Sequence, residues 1–202
     1  MALQHSYQRI APFYDTIVAR ATKHQRQISL APLSDYESSD ILINGIGSGL
    51  DIPFLAPQHR YTGIDLTPAM LDKAQQRLDN TSLELSLQQG DSTALPYSDE
   101  QFDHVVDHLI IAVVDDPQKA FNESLRVLKP GGRLYILDKF LKPNQFAPIR
   151  RLMNPLMRRI ATQTTIVFEQ LCSQTSYNIT IKHDEGTLLN GCFRRIVIEK
   201  QT

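Results

Sequence analysis

Residues 41–51 read Ile-Leu-Ile-Asn-Gly-Ile-Gly-Ser-Gly-Leu-Asp, and residues 61–66 read Tyr-Thr-Gly-Ile-Asp-Leu. The first stretch is an apolar strand followed by a glycine-rich turn, and the second is a strand with an acid at its tip. Glycines let a backbone turn sharply and approach a ligand closely. The carboxylate of Asp65 can accept hydrogen bonds from both hydroxyls of a ribose. The two stretches together therefore predict a site for an adenosine-containing ligand.

The spacing of the glycines separates two kinds of adenosyl site. The dinucleotide fingerprint is G-x-G-x-x-G with an acid about 20 residues later. Gly45, Gly47 and Asp65 fit this fingerprint, but its third glycine position holds Leu50. The run is instead G-x-G-x-G and ends at Gly49, a spacing that resembles the S-adenosylmethionine (SAM) loop of class I methyltransferases. Glycine-rich turns without a ligand are also common, so the rest of the chain must decide.

The bulk properties are those of an ordinary globular protein. The chain has 202 residues, which fits one domain, with 21 basic and 22 acidic side chains. A net charge near zero predicts no nucleic-acid partner. Cys172 and Cys192 lie far apart and form no metal-ligand pattern, so we expect no metal and a reducing, cytoplasmic location. The first residues lack the apolar core of a signal sequence, and no apolar run approaches about 20 residues.

Strand and helix patterns alternate along the chain up to residue 138. Apolar residues at helical spacing predict a helix over residues 8–33, ahead of a strand at 41–44. The other predicted helices begin at 51–55 and cover 69–78 and 118–128, and the other predicted strands lie at 61–65, 83–88, 102–107 and 133–138. Residues 129–132, which read Lys-Pro-Gly-Gly, are expected to end the last of these helices and turn into the strand at 133–138. This alternation favours a parallel sheet with helices on both faces. The tail differs, because 177–182 and 193–199 are typical of an antiparallel pair.

Three later motifs follow in a recognisable order. Gly90-Asp91-Ser92 comes after the third strand, residues 102–108 form the fourth, and residues 125–134 read Leu-Arg-Val-Leu-Lys-Pro-Gly-Gly-Arg-Leu. With the glycine loop, they resemble class I SAM-dependent methyltransferases across nearly the whole chain. The resemblance implies a Rossmann-like α/β fold with a seven-stranded, mostly parallel sheet, an antiparallel last strand and helices on both faces. It also implies that SAM lies across the carboxyl ends of the strands.

A closer resemblance concerns the two ends of the chain. Residues 7–15 are similar to a segment shared by ubiquinone/menaquinone C-methyltransferases and bacterial phosphatidylethanolamine N-methyltransferases. Residues 154–156, 191–194 and 138–140 look more like the phospholipid group. The acceptor implied is a small or amphiphilic molecule, with a phospholipid amine or a quinone-like ring favoured. A soluble metabolite, or a regulatory protein that binds SAM without turnover, stays open because family membership does not fix function.

The resemblance also implies a set of cofactor residues. Asp65 would hold the ribose, and Asp91 would accept a hydrogen bond from the adenine amino group. Many members carry an acid where this chain has Ile43, and Asn44 is the polar residue next to that position. We expect Asp51, just past the loop, to act at a helix N-terminus. The residues expected at the cofactor are Tyr7, Tyr14, Asn44, Gly45, Gly47, Gly49, Asp65, Leu66, Met70, Asp91, Ser92 and His108.

His108 and Asp138 are the candidates for catalysis, because they follow or end neighbouring strands at the ligand edge. Methyl transfer is an in-line displacement, so alignment of the reactants supplies most of the acceleration. A phenol or carbon acceptor also profits from a base, for which His108 is the first candidate and Asp138 the second. A structural role for His108 is equally expected. Asp107 either ends the strand or orients this histidine.

Two segments flank the expected single domain of residues 1–202. Residues 1–34 are expected to form a helical cap, with basic side chains at Arg9, Arg20, Lys23 and Arg26. Residues 139–176 are expected to form a lid on the substrate side. Residues 139–168 hold six basic residues and no acid, which suits peripheral contact with an anionic membrane. Prolines interrupt this stretch, so a solvated helix face is slightly favoured, and the oligomeric state stays open.

Overall fold

The computed structural model describes residues 20–141, 165–191 and 193–202, and its centre is a seven-stranded sheet. The strands are β1 Asp40–Asn44, β2 Arg60–Asp65, β3 Glu84–Gln89, β4 Phe102–His108, β5 Leu128–Lys139, β6 Ile179–Gly186 and β7 Phe193–Lys200. Their order is β3-β2-β1-β4-β5-β7-β6. The pairs from β3 to β5 are parallel, and β7 runs antiparallel to β5 and β6. The predicted sheet with an antiparallel last strand is confirmed.

Helices lie on both sides of this sheet. Helix α1 covers residues 20–30 and continues as a 3₁₀ helix at Ala31–Asp35. The others are α2 Pro68–Leu78, α3 Pro117–Val127, α4 Phe168–Gln174 and α5 Leu188–Gly191. The start of the predicted N-terminal helix, and most of the predicted lid, lie outside the described residues.

Strand β1, an inner strand of the sheet, is buried on both faces. Its side chains alternate between the two faces, as in any strand. Leu42 belongs to the apolar layer that contains Phe121 of α3, whereas Ile41 and Ile43 belong to the layer that contains Leu30 of α1. An uninterrupted apolar run is what a parallel strand covered by helices on both sides requires.

Two local predictions are wrong in detail. The helix expected from residue 51 is a 3₁₀ helix of three residues, Ile52–Phe54. The expected turn at Lys129–Gly132 lies within β5, where the pairing passes from Phe102–Leu128 to His104–Arg133 through an irregularity. A Cβ on Gly132 would lie 2.5 Å from the carbonyl oxygen of Asp103, so only glycine lets the two strands approach here.

The register of the parallel strands gathers their carboxyl ends along one edge of the sheet. Asn44 pairs with Ile64, Asp65 pairs with Gln89, and His108 pairs with Leu137. The residues that end or follow β1, β2, β3 and β4 are therefore neighbours, although they lie far apart in sequence. Ligands of open α/β sheets bind at this edge.

Gly49 and Gly131 offer a matched test of how tightly the loop after β1 is packed. Both have left-handed backbones, with φ of +79° and +77°. A Cβ on Gly49 would lie 2.6 Å from Cδ1 of Ile52 and 3.1 Å from Cα of Ala74, whereas one on Gly131 would meet no atom of the described residues within 4 Å. We expect Gly131→Ala to cost about 1–2 kcal/mol of unfolding free energy for the backbone alone.

Gly49→Ala should cost about 1–3 kcal/mol more than Gly131→Ala, because overpacking adds to the backbone strain. Urea unfolding of the two variants beside the wild type measures both values. Equal losses would contradict the close packing of the loop against α2.

Candidate functional site

The loop that joins β1 to the 3₁₀ helix Ile52–Phe54 contains three glycines. Gly45, Gly47 and Gly49 have φ of +72°, +55° and +79°, a region that favours glycine. The amides of Gly45 and Ile46 both donate to the carbonyl oxygen of Ile64 in β2 at 2.9 Å. A Cβ on Gly45 would lie 2.6 Å from the side chain of Ile110, which follows β4. The loop is thus held between the ends of β2 and β4.

Asp65 joins the tip of β2 to this loop. Its Oδ2 accepts the Gly47 amide at 2.9 Å, and its Oδ1 accepts the Thr67 amide at 2.9 Å. Burial raises the pKa of Asp65, and the two amides and the Thr67 hydroxyl offset part of that effect. A carboxylate has about four lone-pair sites, so Asp65 can still accept a hydrogen bond from a ligand. Among the described residues, a Cβ on Gly47 would meet only one atom, 4.0 Å away, so this part of the structure leaves the backbone next to Asp65 open to a ligand.

The neighbouring candidates continue along the same edge. Leu66 is 52% exposed, which is unusual for a leucine and leaves an apolar surface beside Asp65, whereas Met70 is buried. The Gly90 amide donates to the carbonyl oxygen of Asp65 at 3.1 Å, which holds the end of β3 beside that of β2. Asp91 is exposed, and its Oδ1 accepts the amide and hydroxyl of Thr93 at 2.8 Å each.

Ser92 is buried within this turn. Tyr7 and Tyr14, the aromatic candidates at the start of the chain, lie outside the described residues.

His108 ends β4 with neither ring nitrogen free. Its Nδ1 lies 2.8 Å from Oδ1 of Asp51, and its Nε2 lies 2.9 Å from the hydroxyl of Ser29 in α1. Asp51 also accepts a hydrogen bond at 2.7 Å from Arg26, so its side chain does not cap the 3₁₀ helix as expected. Burial favours the neutral acid, but Arg26 and His108 outweigh it and hold the pKa of Asp51 well below its usual range.

Asn44 and Asp107 lie on the opposite face of the sheet from His108. Asn44 Nδ2 donates to Oδ1 of Asp107 at 3.2 Å, and the hydroxyl of Ser124 in α3 donates to Oδ2 of Asp107 at 2.8 Å. Oδ1 of Asn44 is buried and has no hydrogen-bond partner within the part of the chain that the structure describes. Asp107 therefore does not orient His108, because consecutive strand residues point to opposite faces. Burial without a cation raises the pKa of Asp107 to about 7, despite the hydrogen bonds from Ser124 and Asn44.

Asp138 braces the segment that follows β4. Its Oδ2 accepts the Ala112 amide at 3.0 Å, and its Oδ1 accepts the Lys139 amide at 2.7 Å. Burial raises the pKa of Asp138 to about 6, and the backbone amides offset part of that effect. Leu109 has an unusual left-handed φ of +61°, and its amide donates to the carbonyl oxygen of Leu137 at 2.8 Å. Asp138 thus fixes the backbone that packs against Gly45.

The described ranges contain no group of three or more histidine, cysteine, aspartate or glutamate side chains arranged to hold a metal. Within the same ranges, no helix is long and apolar enough to cross a membrane.

Comparison with known proteins agrees with this geometry. A methyltransferase domain family model matches residues 42–136, which hold the glycine loop, Asp65, Asp91 and β4. A phosphatidylethanolamine N-methyltransferase of Cereibacter sphaeroides is 31% identical over 143 residues, or 70% of each chain. The chain belongs to the class I SAM-dependent methyltransferases.

One further relative and one solved structure are similar to this chain. A demethylmenaquinone methyltransferase of Deinococcus radiodurans is 31% identical over 144 residues, which are 68% of this chain but only 60% of that protein. The crystal structure of a SAM-dependent methyltransferase from Thermotoga maritima superposes with a TM-score of 0.70 at 18% identity, and covers 98% of this chain and 99% of that one. At that identity the superposition shows the fold alone.

The observed edge fits SAM, the cofactor of this family. Asp65 presents a carboxylate with free lone pairs, Gly47 leaves open space beside it, and Leu66 offers an exposed apolar surface. These are the features that a ribose, a closely approaching ligand and an adenine ring require. The alternative of a dinucleotide site stays disfavoured, because Leu50 occupies the third glycine position of its fingerprint.

The pH dependence of stability tests the buried Asp107. Its folded pKa lies above its unfolded value, so the folded chain binds more protons, and Asp107 makes the protein less stable as pH rises from about 4 to about 7. Asp107→Asn keeps the shape without the charge. Urea unfolding should show the stability of the variant relative to wild type rising between about pH 4 and pH 7, by at most about 4 kcal/mol.

All other titrating groups are shared by the two proteins, so this difference isolates Asp107. A difference that stays constant over the same pH range would show that Asp107 is ionised in the folded protein throughout.

Proposed function

We propose that this methyltransferase N-methylates the amine head group of an amphiphilic phospholipid of the phosphatidylethanolamine kind. The proposal is carried by the relative from Cereibacter sphaeroides, whose similarity extends over 70% of both chains. The resemblance of residues 138–140 and 191–194 to the phospholipid group supports it. The chemistry available at the ends of β4 and β5 favours an amine further.

In this proposal, the cofactor lies along the carboxyl edge from β1 to β4. The backbone of Gly45, Gly47 and Gly49 would approach it, Asp65 would accept the ribose hydroxyls, and Leu66 would cover the adenine. Met70, Asp91 and Ser92 would complete the adenine end. SAM supplies an electrophilic methyl group on a positively charged sulfur. The role of the protein is to align the acceptor with that methyl group and to exclude water from it.

The three buried titratable side chains at the ends of β4 and β5 already have partners. His108 is bound through both ring nitrogens, Asp138 accepts backbone amides, and Asp107 faces Asn44 and Ser124 on the α3 side. A general base typically contributes 10²–10⁴-fold to a rate. An amine that has lost its proton to solvent carries its own lone pair, whereas methylation at a ring carbon profits from removal of a phenol proton. The amine acceptor is therefore favoured over the quinone ring.

His108 and Asp138 accordingly become positioning residues in this proposal, rather than the base expected from sequence. His108 holds α1 against the end of β4, and Asp138 holds the backbone of residues 109–112. Asn44 contributes to the cofactor site through its backbone, because its side chain turns into the layer beneath α3.

The predicted cap and lid would bind the apolar part of the amphiphilic acceptor. Residues 1–34 and 139–176 belong to one domain with the sheet in this proposal, and the basic stretch at 139–168 would meet a membrane surface from a cytoplasmic location. Residues 142–164 lie outside the described part of the chain, so their composition alone supports this step.

An acceptor assay tests the proposed function. Purified protein and SAM are incubated with detergent-dispersed phosphatidylethanolamine, with demethylmenaquinone reduced in situ, or with glycerophosphoethanolamine, and products are identified by mass spectrometry. We expect monomethyl-phosphatidylethanolamine as the main product, because its amine needs no protein base. Phosphatidylcholine, whose nitrogen is fully methylated, supplies the background.

Methylation of the quinol with none of phosphatidylethanolamine would refute the amine proposal and place the chain with the ring methyltransferases. Faster methylation of glycerophosphoethanolamine than of the intact lipid would refute the amphiphilic part of the proposal.

A further inference from the structure

Four buried polar side chains connect α1 to both walls of the cofactor site. Arg26 and Ser29 lie on α1, Asp51 lies two residues after Gly49, and His108 ends β4. Their exposed fractions are 6%, 2%, 2% and 4%. Arg26 donates to Asp51 at 2.7 Å, Asp51 lies 2.8 Å from Nδ1 of His108, and Nε2 of His108 lies 2.9 Å from the Ser29 hydroxyl. Arg26 also donates to Thr22 at 3.1 Å.

The charges fix the direction of these hydrogen bonds. Asp51 is ionised, and Arg26 balances its charge. A carboxylate only accepts, so Nδ1 of His108 must carry a proton and donate to it. The other ring nitrogen, Nε2, is hydrogen-bonded to the Ser29 hydroxyl. The two bonds together fix the orientation of the His108 ring between Asp51 and α1.

The position of Asp51 compensates for the missing acid at residue 43. Ile43 faces the α1 layer, where it packs with Leu30. Asn44 cannot serve that side, because its side chain lies in the α3 layer with Ser124. Asp51 presents the buried carboxylate on the α1 side, directly after the glycine loop. His108 at the other end precedes Leu109 and Ile110, and Ile110 packs on Gly45.

We propose that Asp51 is a positioning residue that docks α1, through Arg26 and His108, against the glycine loop and the end of β4, and that this docking sets the affinity for SAM. The proposal rests on the proposed cofactor site, but not on the identity of the methyl acceptor. When only a fraction of molecules has α1 docked, the apparent dissociation constant rises by the inverse of that fraction. Bound cofactor must in turn favour the docked state, because such coupling is reciprocal.

Two substitutions weaken the network to different extents. Asp51→Asn leaves the buried Arg26 without the carboxylate that binds it, and Ser29→Ala removes only the hydroxyl that is hydrogen-bonded to His108. Calorimetric titration with S-adenosylhomocysteine should show a dissociation constant raised at least tenfold by Asp51→Asn, or about 1.4 kcal/mol, and about threefold by Ser29→Ala. Ser29→Ala keeps both charges, so it remains informative should Asp51→Asn fail to fold.

Asp184→Asn is the matched control. Asp184 also binds a buried arginine, Arg194, through two hydrogen bonds, but it lies on β6 at the far edge of the sheet. We expect Asp184→Asn to lower the melting temperature while the dissociation constant stays at the wild-type value. The control thus distinguishes a general loss of stability, which changes the melting temperature alone, from a loss of positioning, which also changes the dissociation constant.

Two further measurements test the hydrogen bonds of His108 and the docking of α1 directly. Nitrogen-15 NMR of the wild type should show a proton on Nδ1 of His108, as its hydrogen bond to the Asp51 carboxylate requires. Hydrogen exchange at residues 20–30 should slow when S-adenosylhomocysteine binds, and Ser29→Ala should speed it in the free protein.

Wild-type affinity in both Asp51→Asn and Ser29→Ala would refute the proposal and leave the network a role in folding alone. A His108 ring without a proton on Nδ1 would refute the hydrogen bond to Asp51 on which the proposal stands. Failure of the wild type to bind S-adenosylhomocysteine would refute the cofactor site together with the proposal.

Discussion

The hydrogen bond from the Gly47 amide to the Asp65 carboxylate joins the two halves of the cofactor site. It connects the loop after β1 to the tip of β2, and both depend on the parallel register that places Asn44 beside Ile64. Glycine is required in the loop because three of its residues have left-handed backbones. The same edge receives the ends of β3 and β4, so the parallel registers bring together the strand-end candidates among the described residues.

The sequence predicted the sheet well because its signals are local and strong. Apolar runs, the glycine loop and Asp65 each report a backbone geometry directly, and their order implied the seven-stranded fold that is observed. The turn predicted at Lys129–Gly132 failed because an irregular strand with proline and glycine looks like a loop in sequence. The prediction for Asp51 was wrong for another reason. Its partner Arg26 lies 25 residues away, and the sequence alone indicates only that Arg26 belongs to a basic helix face.

The roles of the polar residues at the strand ends follow from which face each occupies. His108 faces α1 and Asp107 faces α3, so neighbours in sequence belong to separate networks. Alternation along β4 could have indicated this separation, but no sequence signal identifies Ser29 or Ser124 as the partners. At this edge, the buried titratable side chains His108, Asp138 and Asp107 form hydrogen bonds that hold loops and helices in place. Such an arrangement suits a reaction in which alignment supplies most of the acceleration.

The central claim, that Asp65 and the glycine loop form a SAM site, is tested most directly by calorimetry. The wild type and Asp65→Ala are titrated with S-adenosylhomocysteine and, separately, with NAD. The account predicts one S-adenosylhomocysteine site in the wild type, loss of that binding in the variant, and no binding of NAD to either. Undiminished binding of S-adenosylhomocysteine to a folded Asp65→Ala variant would contradict it, because the ligand would then lie elsewhere.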